Sequence, residues 1–166
     1  MKGRIVQISV SRGGVPKTAV VAARVTTDGL EGDAHRFTHH GGPERAVCLY
    51  PIESIRDLRA EGHAIAPGSI GENITVEGLD WSAIVPGSHL LLGEKVLLHV
   101  TRYTTPCRTI KDAFRNGEFS RVSHKDHPGW SRVYARVLVE GTICPDDSVC
   151  LLDEIRAAEL DAAASR

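Results

Sequence analysis

The chain has 166 residues, and its 20 Lys and Arg against 21 Asp and Glu give a formal net charge of −1. Its 42% hydrophobic and 25% charged residues exclude disordered, collagen-like and coiled-coil chains. The balanced charge argues against a nucleic-acid partner, and no apolar run is long enough to predict a membrane span. The N-terminus lacks the apolar stretch of a signal peptide, so we expect a cytoplasmic protein with no membrane partner.

The N-terminal part is predicted to be β-structure followed by a long loop. In residues 5–10 the side chains of Val6, Ile8 and Val10 share one face, and a second strand is predicted over residues 17–25. Residues 29–45 hold four glycines and three histidines without periodicity. Long loops without secondary structure are usually functional in compact domains.

One helix is predicted after a short strand at residues 46–50. Pro51 suits the first turn, Ile52, Ile55 and Leu58 recur every three residues, and Gly62 is placed to end the helix.

The rest of the chain is predicted to be mainly β, with a glycine-rich loop at residues 67–73. The pattern Thr109-x-x-Asp112 predicts a short helix, and residues 117–131 are predicted to be a mobile polar loop. Further strands are predicted at residues 74–76, 90–92, 96–102, 134–139 and 149–152.

Many short strands with few helices predict a mainly β fold based on a barrel. We expect one domain over residues 1–153 and an Ala-rich tail, a frayed helix, over residues 154–166.

Among the cysteines, Cys107 is the candidate for chemistry. It lies between a predicted strand and a predicted helix, and Arg102 and Arg108 are close in sequence. Nearby cations and a helix N-terminus both favour a thiolate, which can be a nucleophile, a persulfide carrier or a soft metal ligand. The alternative is a small apolar filler. The others are predicted to lie in the core (Cys48, Cys150) or in a turn (Cys144).

The long loop offers two further candidate sites. His35, His39 and His40, with Asp33, have the donor atoms of a zinc site, but their spacing matches no known ligand pattern, and a solvated loop is the alternative. The glycines of residues 40–45 and 68–73 allow backbone N–H groups to approach an anion. Arg36 and Arg45 bracket the first glycine loop and have phosphate binding or surface ion pairing as alternative roles.

Several segments together resemble one family. The sequence contains G-D followed by H-G-G, then G-E-N, then P-C, within residues 29–47, 67–79 and 104–110, and a late motif spans residues 141–152. This order resembles the MOSC domains found at the C-terminus of molybdenum cofactor sulfurases. The likeness is to stand-alone bacterial MOSC proteins of the 6-hydroxylaminopurine-resistance type, which are related to the mitochondrial amidoxime-reducing component.

The resemblance implies a β-barrel-based fold and a molybdenum cofactor of the molybdopterin type. The cysteine of the P-C motif is Cys107, which would be a thiolate ligand to molybdenum and a catalytic residue. Asn73 and His40 would orient the substrate or donate a proton. The expected cofactor-binding residues, besides Cys107, are Ser11, Arg12, Arg36, His40, Gly41, Gly42, Arg45, Asn73 and Arg102. The chain departs from the late motif, with Asp146-Asp147 in place of Gly-Asp.

The leading hypothesis is an oxidoreductase that removes the hydroxyl oxygen of small N-hydroxylated compounds. The sequence has no flavin, nicotinamide or iron–sulfur fingerprint, so a separate reductase would supply the electrons. Two alternatives stay open. One is a sulfur-carrier or cofactor-binding module with a persulfide on Cys107, and the other is a zinc hydrolase that uses the histidine loop.

Overall fold

The computed structural model describes residues 1–34 and 41–166, which form a mainly β fold. The strands of this part are β1 (Lys2–Val10), β2 (Thr18–Val20), β3 (Ala23–Thr26), β4 (Gly29–Leu30), β5 (Val47–Pro51), β6 (Ile74–Glu77), β7 (His89–Leu92), β8 (Val96–Tyr103), β9 (Val133–Val139), β10 (Gly141–Ile143) and β11 (Ser148–Leu152). The α-helices are α1 (Ile52–Ala60) and α2 (Glu154–Ala164). Short 3₁₀ turns lie at Pro43–Arg45, Trp81–Ala83, Arg108–Ala113, Arg115–Gly117 and Phe119–Val122.

Seven strands close into a barrel in the order β1, β6, β5, β9, β8, β7, β11 and back to β1. The closing pair is antiparallel and joins Lys2 to Cys150 and Arg4 to Ser148. The β5–β6 pair is parallel, and α1 is the crossover between them. Strand β2 extends the sheet beside β1, and β10, β3 and β4 form a second sheet. The expected barrel-based β fold is confirmed.

Two apolar cores lie on either side of β5. Ile8, Leu49 and Ile74 belong to the core within the barrel, whereas Tyr50 and Leu58 belong to a second core beneath α1. Every residue of β5 is buried because each face of the strand meets one core. This explains why β5 reads as a continuous apolar run rather than as an alternating pattern.

Strand β1 departs from the predicted alternation. The fully buried apolar residues are Ile5 and Ile8, whereas Val6 and Val10 are half-buried. A register shift between Ile5 and Gln7 in the pairing with β6 is the cause, because a β-bulge changes which side chains face the core.

Residues 17–25 form two strands instead of the single predicted one. Strand β2 pairs with β1, and β3 pairs with β10 in the second sheet. The chain changes sheets between them, at Val21, which is exposed. Helix α1 agrees with the prediction, with Pro51 extended at the N-cap and Gly62 at a φ of 98° just beyond the end.

The C-terminal half contains more turns than expected. The helix predicted from Thr109 is a 3₁₀ turn, and the polar segment 117–131 includes another 3₁₀ turn whose Val122 is fully buried in the second core. Cys48 is buried, as expected, but Cys150 is only half-buried on β11, so its assignment to the core is wrong. Asp153 is the N-cap of helix α2, and its side chain accepts from the backbone N of Arg156. Neither described α-helix is long and apolar enough to cross a bilayer.

A glycine holds the loop before β6 against the segment before β2. Gly68 has a φ of +83°, and a Cβ built on it would lie 2.4 Å from the Lys17 carbonyl oxygen. The backbone N of Lys17 donates to the Gly68 carbonyl at 2.9 Å. The two segments therefore touch through their backbones, which only glycine permits.

We expect Gly68→Ala to lower the free energy of unfolding much more than Gly87→Ala. Gly87 also has a left-handed φ, +98°, but a Cβ there would meet open space. The control should lose about 1 kcal/mol from backbone strain, and Gly68→Ala about 2 kcal/mol more because a backbone carbonyl must move. Urea unfolding measures both free energies. Equal losses would show that the loop before β6 and the segment before β2 can move apart at Gly68 without a cost in stability.

Candidate functional site

A cavity of about 250 Å³ opens where the segments that follow β1, β4 and β8 meet the loop before β6. Four of the predicted site residues line it: Arg45, Asn73, Arg102 and Cys107. The structure does not place Ser11, Arg12, Gly41 or Gly42 among the lining residues. Arg36 and His40 lie outside the described residues. The barrel thus brings the two motifs G-E-N and P-C to one cavity.

Two cysteine thiols face this cavity in different states. Cys48 is buried on β5, and burial raises the pKa of its thiol to about 11, so the group stays protonated at neutral pH. Cys107 is exposed and precedes the 3₁₀ turn Arg108–Ala113. Its Sγ donates to the Oγ1 of Thr109 at 3.2 Å. Cys107 is therefore the thiol of this cavity that is open to a ligand.

The cavity is positively charged, although the whole chain is not. Its described lining contains four cationic side chains and no carboxylate, in a chain whose net charge is −1. Lysine and arginine side chains concentrated around one opening favour an anionic ligand. The four are Lys17, Arg45, Arg102 and Arg132.

A buried carboxylate compensates the charge of Lys17. The Nζ of Lys17 lies 2.6 and 2.7 Å from the two carboxylate oxygens of Asp33, whose side chain is 3% exposed. Asp33 also accepts from the backbone N of Ser11 at 2.9 Å and from Nδ2 of Asn73 at 2.8 Å. A buried ion pair with its remaining hydrogen bonds satisfied avoids most of the desolvation penalty.

Asn73 holds the cavity wall together. Its Nδ2 donates to Asp33 and to the Ser9 carbonyl at 3.3 Å, and its Oδ1 accepts from the backbone N of Cys48 at 3.0 Å. Both N–H bonds of the amide are therefore engaged within the protein. The geometry makes Asn73 a positioning residue, and its predicted contact with substrate stays a prediction.

The zinc hypothesis gains no support from the described part of the chain. Asp33 is engaged with Lys17, and the described residues contain no group of three His, Cys, Asp or Glu side chains suited to a metal ion. The three histidines of that hypothesis, His35, His39 and His40, lie outside the described residues.

Two buried ionisable residues, one in the lining and one next to it in the loop before β6, were not predicted from the sequence. Glu72 is fully buried, its Oε1 accepts from the backbone N of Gly68 at 2.6 Å, and its Oε2 has no partner among the described residues. Burial raises the pKa of Glu72. Arg132 is 6% exposed and donates from Nη1 to the Ile70 carbonyl, while its Nε has no partner there. The G-E-N motif was a signal for Glu72, whereas Arg132 is a single arginine before a strand and carries no sequence signal.

The closed barrel, the open cysteine and the cationic cavity occur in a chain whose relatives form a known family. The family model described as "MOSC domain" matches residues 36–150, and the chain belongs to this family. Among curated proteins, it is similar to YflK of Bacillus subtilis, at 30% identity over 145 residues, 86% of this chain and 64% of that one. It is also similar to a "Reductase" of Gibberella moniliformis, at 32% identity over 130 residues, 75% of this chain and 23% of that protein.

Solved structures show the same fold. The crystal structure of YiiM from Geobacillus stearothermophilus superposes with a TM-score of 0.67 at 26% identity, over 91% of this chain and 75% of that one. YiiM from Escherichia coli gives a TM-score of 0.68 at 22% identity, over 100% of this chain and 79% of that one. The chain spans less than two thirds of the length of the curated relatives, 64% of YflK and 23% of the fungal protein.

We expect Glu72→Gln to gain stability relative to the wild type as pH rises. A carboxyl whose folded pKa is raised binds its proton more tightly in the folded state, so its contribution is full below the unfolded pKa of about 4.3 and is lost as pH rises toward the folded pKa. The difference in the free energy of unfolding between the variant and the wild type should grow by about 1.4 kcal/mol for each pH unit that separates the unfolded from the folded pKa of Glu72.

Urea unfolding of the Glu72→Gln variant between pH 4 and pH 7 measures this difference. Glu94→Gln is the matched control, because Glu94 is exposed. A difference in the free energy of unfolding between Glu72→Gln and the wild type that stays constant from pH 4 to pH 7 would contradict the expectation.

Proposed function

We propose that the cavity binds a molybdenum cofactor of the molybdopterin type, with the Cys107 thiolate as the protein's ligand to the metal. We further propose that the protein reduces small N-hydroxylated compounds with electrons from a separate reductase. One observation carries the proposal: an open thiol and an anion-favouring charge share one cavity. The expected cytoplasmic location is part of the same proposal.

The residues present fit such a group. A thiolate is a soft ligand of the kind that suits molybdenum, and arginine and lysine suit the phosphate of a pterin. Gly71 lines the cavity, and a Cβ on it would lie 3.2 Å from Val15 and 3.6 Å from the Nη1 of Arg132. The glycine leaves room that any other side chain would fill.

The chain's own residues prepare this site in three ways. Cys107 presents its sulfur, and the Thr109 hydroxyl beside it accepts from the thiol and can rotate to donate to the thiolate. The hydrogen bond between Asn73 and Asp33 fixes another part of the wall. Arg102, exposed on the rim, adds positive charge. When bound, the cofactor supplies two-electron oxygen-atom transfer, and the protein supplies position and electrostatics.

The reaction consumes two electrons and two protons for each N–OH group, which becomes N–H with release of water. These 166 residues contain no C-x-x-C pair and no dinucleotide fingerprint, so the proposal places the electron donor outside them. The word "Reductase" for the fungal relative also supports an oxidoreductase, although this chain matches only 23% of that protein.

Metal and mass analysis of protein purified from a host that makes the cofactor tests the proposal. We expect molybdenum and pterin near one equivalent each, and reduction of an amidoxime with a chemically reduced viologen dye. A persulfide mass shift on Cys107 without molybdenum would instead establish the sulfur-carrier alternative. Stoichiometric zinc would favour the hydrolase.

We expect Cys107→Ser to lose at least nine tenths of the bound molybdenum and all amidoxime reduction while its melting temperature stays near that of the wild type. Serine is nearly isosteric, but its hydroxyl does not ionise to a soft ligand near neutral pH. Cys144→Ser is the matched control, because Cys144 is also a free, exposed cysteine and lies outside the cavity lining. Full metal content in Cys107→Ser would remove Cys107 from the proposal.

A further inference from the structure

The charge of Arg132 is not balanced by a close carboxylate. The described residues form no ion pair with its guanidinium within 4.0 Å, and the sequence of residues 35–40, HRFTHH, contains no Asp or Glu. The side chain is nevertheless 6% exposed and lines the cavity. An isolated buried charge costs several kcal/mol in a folded protein, so a site that keeps one commonly serves a ligand.

Among the described residues, the guanidinium of Arg132 makes one hydrogen bond to the protein. Nη1 donates to the Ile70 carbonyl, and Nε is buried without a partner among the described residues. Arginine holds a phosphate by two parallel N–H bonds, and the Arg132 side chain lines the cavity. Gly71, with a φ of +92°, leaves open the space next to Nη1.

The other cations of the cavity are placed differently. Lys17 is paired with Asp33 at 2.6 Å, Arg45 lies 5.8 Å from the centre of the Tyr134 ring, and Arg102 is exposed to solvent. Water and salt screen an exposed charge, whereas a buried one acts at nearly full strength on a ligand. The buried cation without a carboxylate partner is therefore the strongest anion-binding group of the described lining.

We propose that Arg132 binds a phosphate group at the inner end of this cavity and that it is the principal phosphate-binding residue of the site. The ligand class is a phosphate monoester or free phosphate. The step from the phosphate subsite to the pterin's own phosphate rests on the proposed function, but the subsite itself does not.

Glu72 provides the competing structural explanation. It is a fully buried carboxyl, its Oε2 has no partner in the described residues, and the positive charge of Arg132 acts to lower its pKa. Burial acts in the opposite direction and is the largest cause, so the pKa of Glu72 is raised on balance. If Glu72 were ionised, it would compensate Arg132 at a distance, and Arg132 would need no ligand.

The experiment uses the full chain purified from a host that cannot make the cofactor, with inorganic phosphate as the probe and sodium chloride at equal ionic strength as the reference. Phosphate should raise the melting temperature of the wild type. Arg132→Met should lose at least tenfold in phosphate affinity and, without phosphate, melt no lower than the wild type, because it loses a buried unpaired charge. Arg108→Ala, an exposed arginine outside the cavity lining, should respond like the wild type.

Three outcomes would overturn the proposal. They are no phosphate response in the wild type, an unchanged response in Arg132→Met, or a lower melting temperature of Arg132→Met that is restored when Glu72→Gln is added. The last result would show that Arg132 compensates Glu72. Should Arg132→Met fail to fold, Arg132→Lys replaces it, and its phosphate affinity must fall while its melting temperature stays near that of the wild type.

Two further measurements separate this proposal from the proposed function. In cofactor-free protein, Cys107→Ser should keep the full phosphate response, because the thiol takes no part in it. In a host that makes the cofactor, Arg132→Met should lose pterin and molybdenum together. If the wild type carries no molybdenum but its phosphate response depends on Arg132, the phosphate subsite is upheld, with free phosphate or another monoester as its ligand. The proposed cofactor is then ruled out.

Discussion

One buried carboxylate, Asp33, holds the cavity in shape. It accepts from the segment after β1 through the backbone of Ser11, from the residue before β2 through Lys17, and from the loop before β6 through Asn73. Asn73 in turn accepts from the backbone N of Cys48, which links this network to β5. Ser11, Lys17 and Asn73 stand in connecting segments, and the shared hydrogen-bonding partner fixes the separation of these segments.

The same interaction decides how the positive charge of the cavity is distributed. Because Asp33 compensates Lys17, the remaining charge of the described lining belongs to arginines, one of them buried and another on the rim. Arginine binds phosphate by paired hydrogen bonds, whereas lysine acts as a point charge. Because Lys17 is paired with Asp33, the arginines dominate the cavity, and they favour anions such as phosphate that accept two parallel hydrogen bonds.

How much the sequence predicts depends on how local each feature is. Helix α1, bounded by Pro51 and Gly62, follows from local signals and is confirmed. The alternation in residues 5–10 predicts the buried face of β1 wrongly, because the bulge is set by the pairing with β6 and leaves no signal in the sequence. The division of residues 17–25 has the same origin, since only the second sheet determines where β2 ends.

The site follows the same division. Cys107 and Asn73 stand in motifs, and the resemblance finds them without a structure. The sequence offers Asp33 only as a candidate zinc ligand, because its partner Lys17 is 16 residues away and is brought to it by the fold. Arg132 is found only through its burial and its missing partner, which depend on Ile70 and Gly71, about 60 residues earlier in the chain.

The placement of two thiols and the buried arginine in one cavity restricts what can bind there. The pKa of Cys48, raised to about 11 by burial, keeps that thiol neutral, so Cys107 is the sulfur that a soft metal can reach. A metal ion alone would bring positive charge to a wall that is already cationic, and an anion alone would make no use of the thiol. The cofactor that we propose carries a metal at one end and a phosphate at the other, so it would use both the thiol and the arginine.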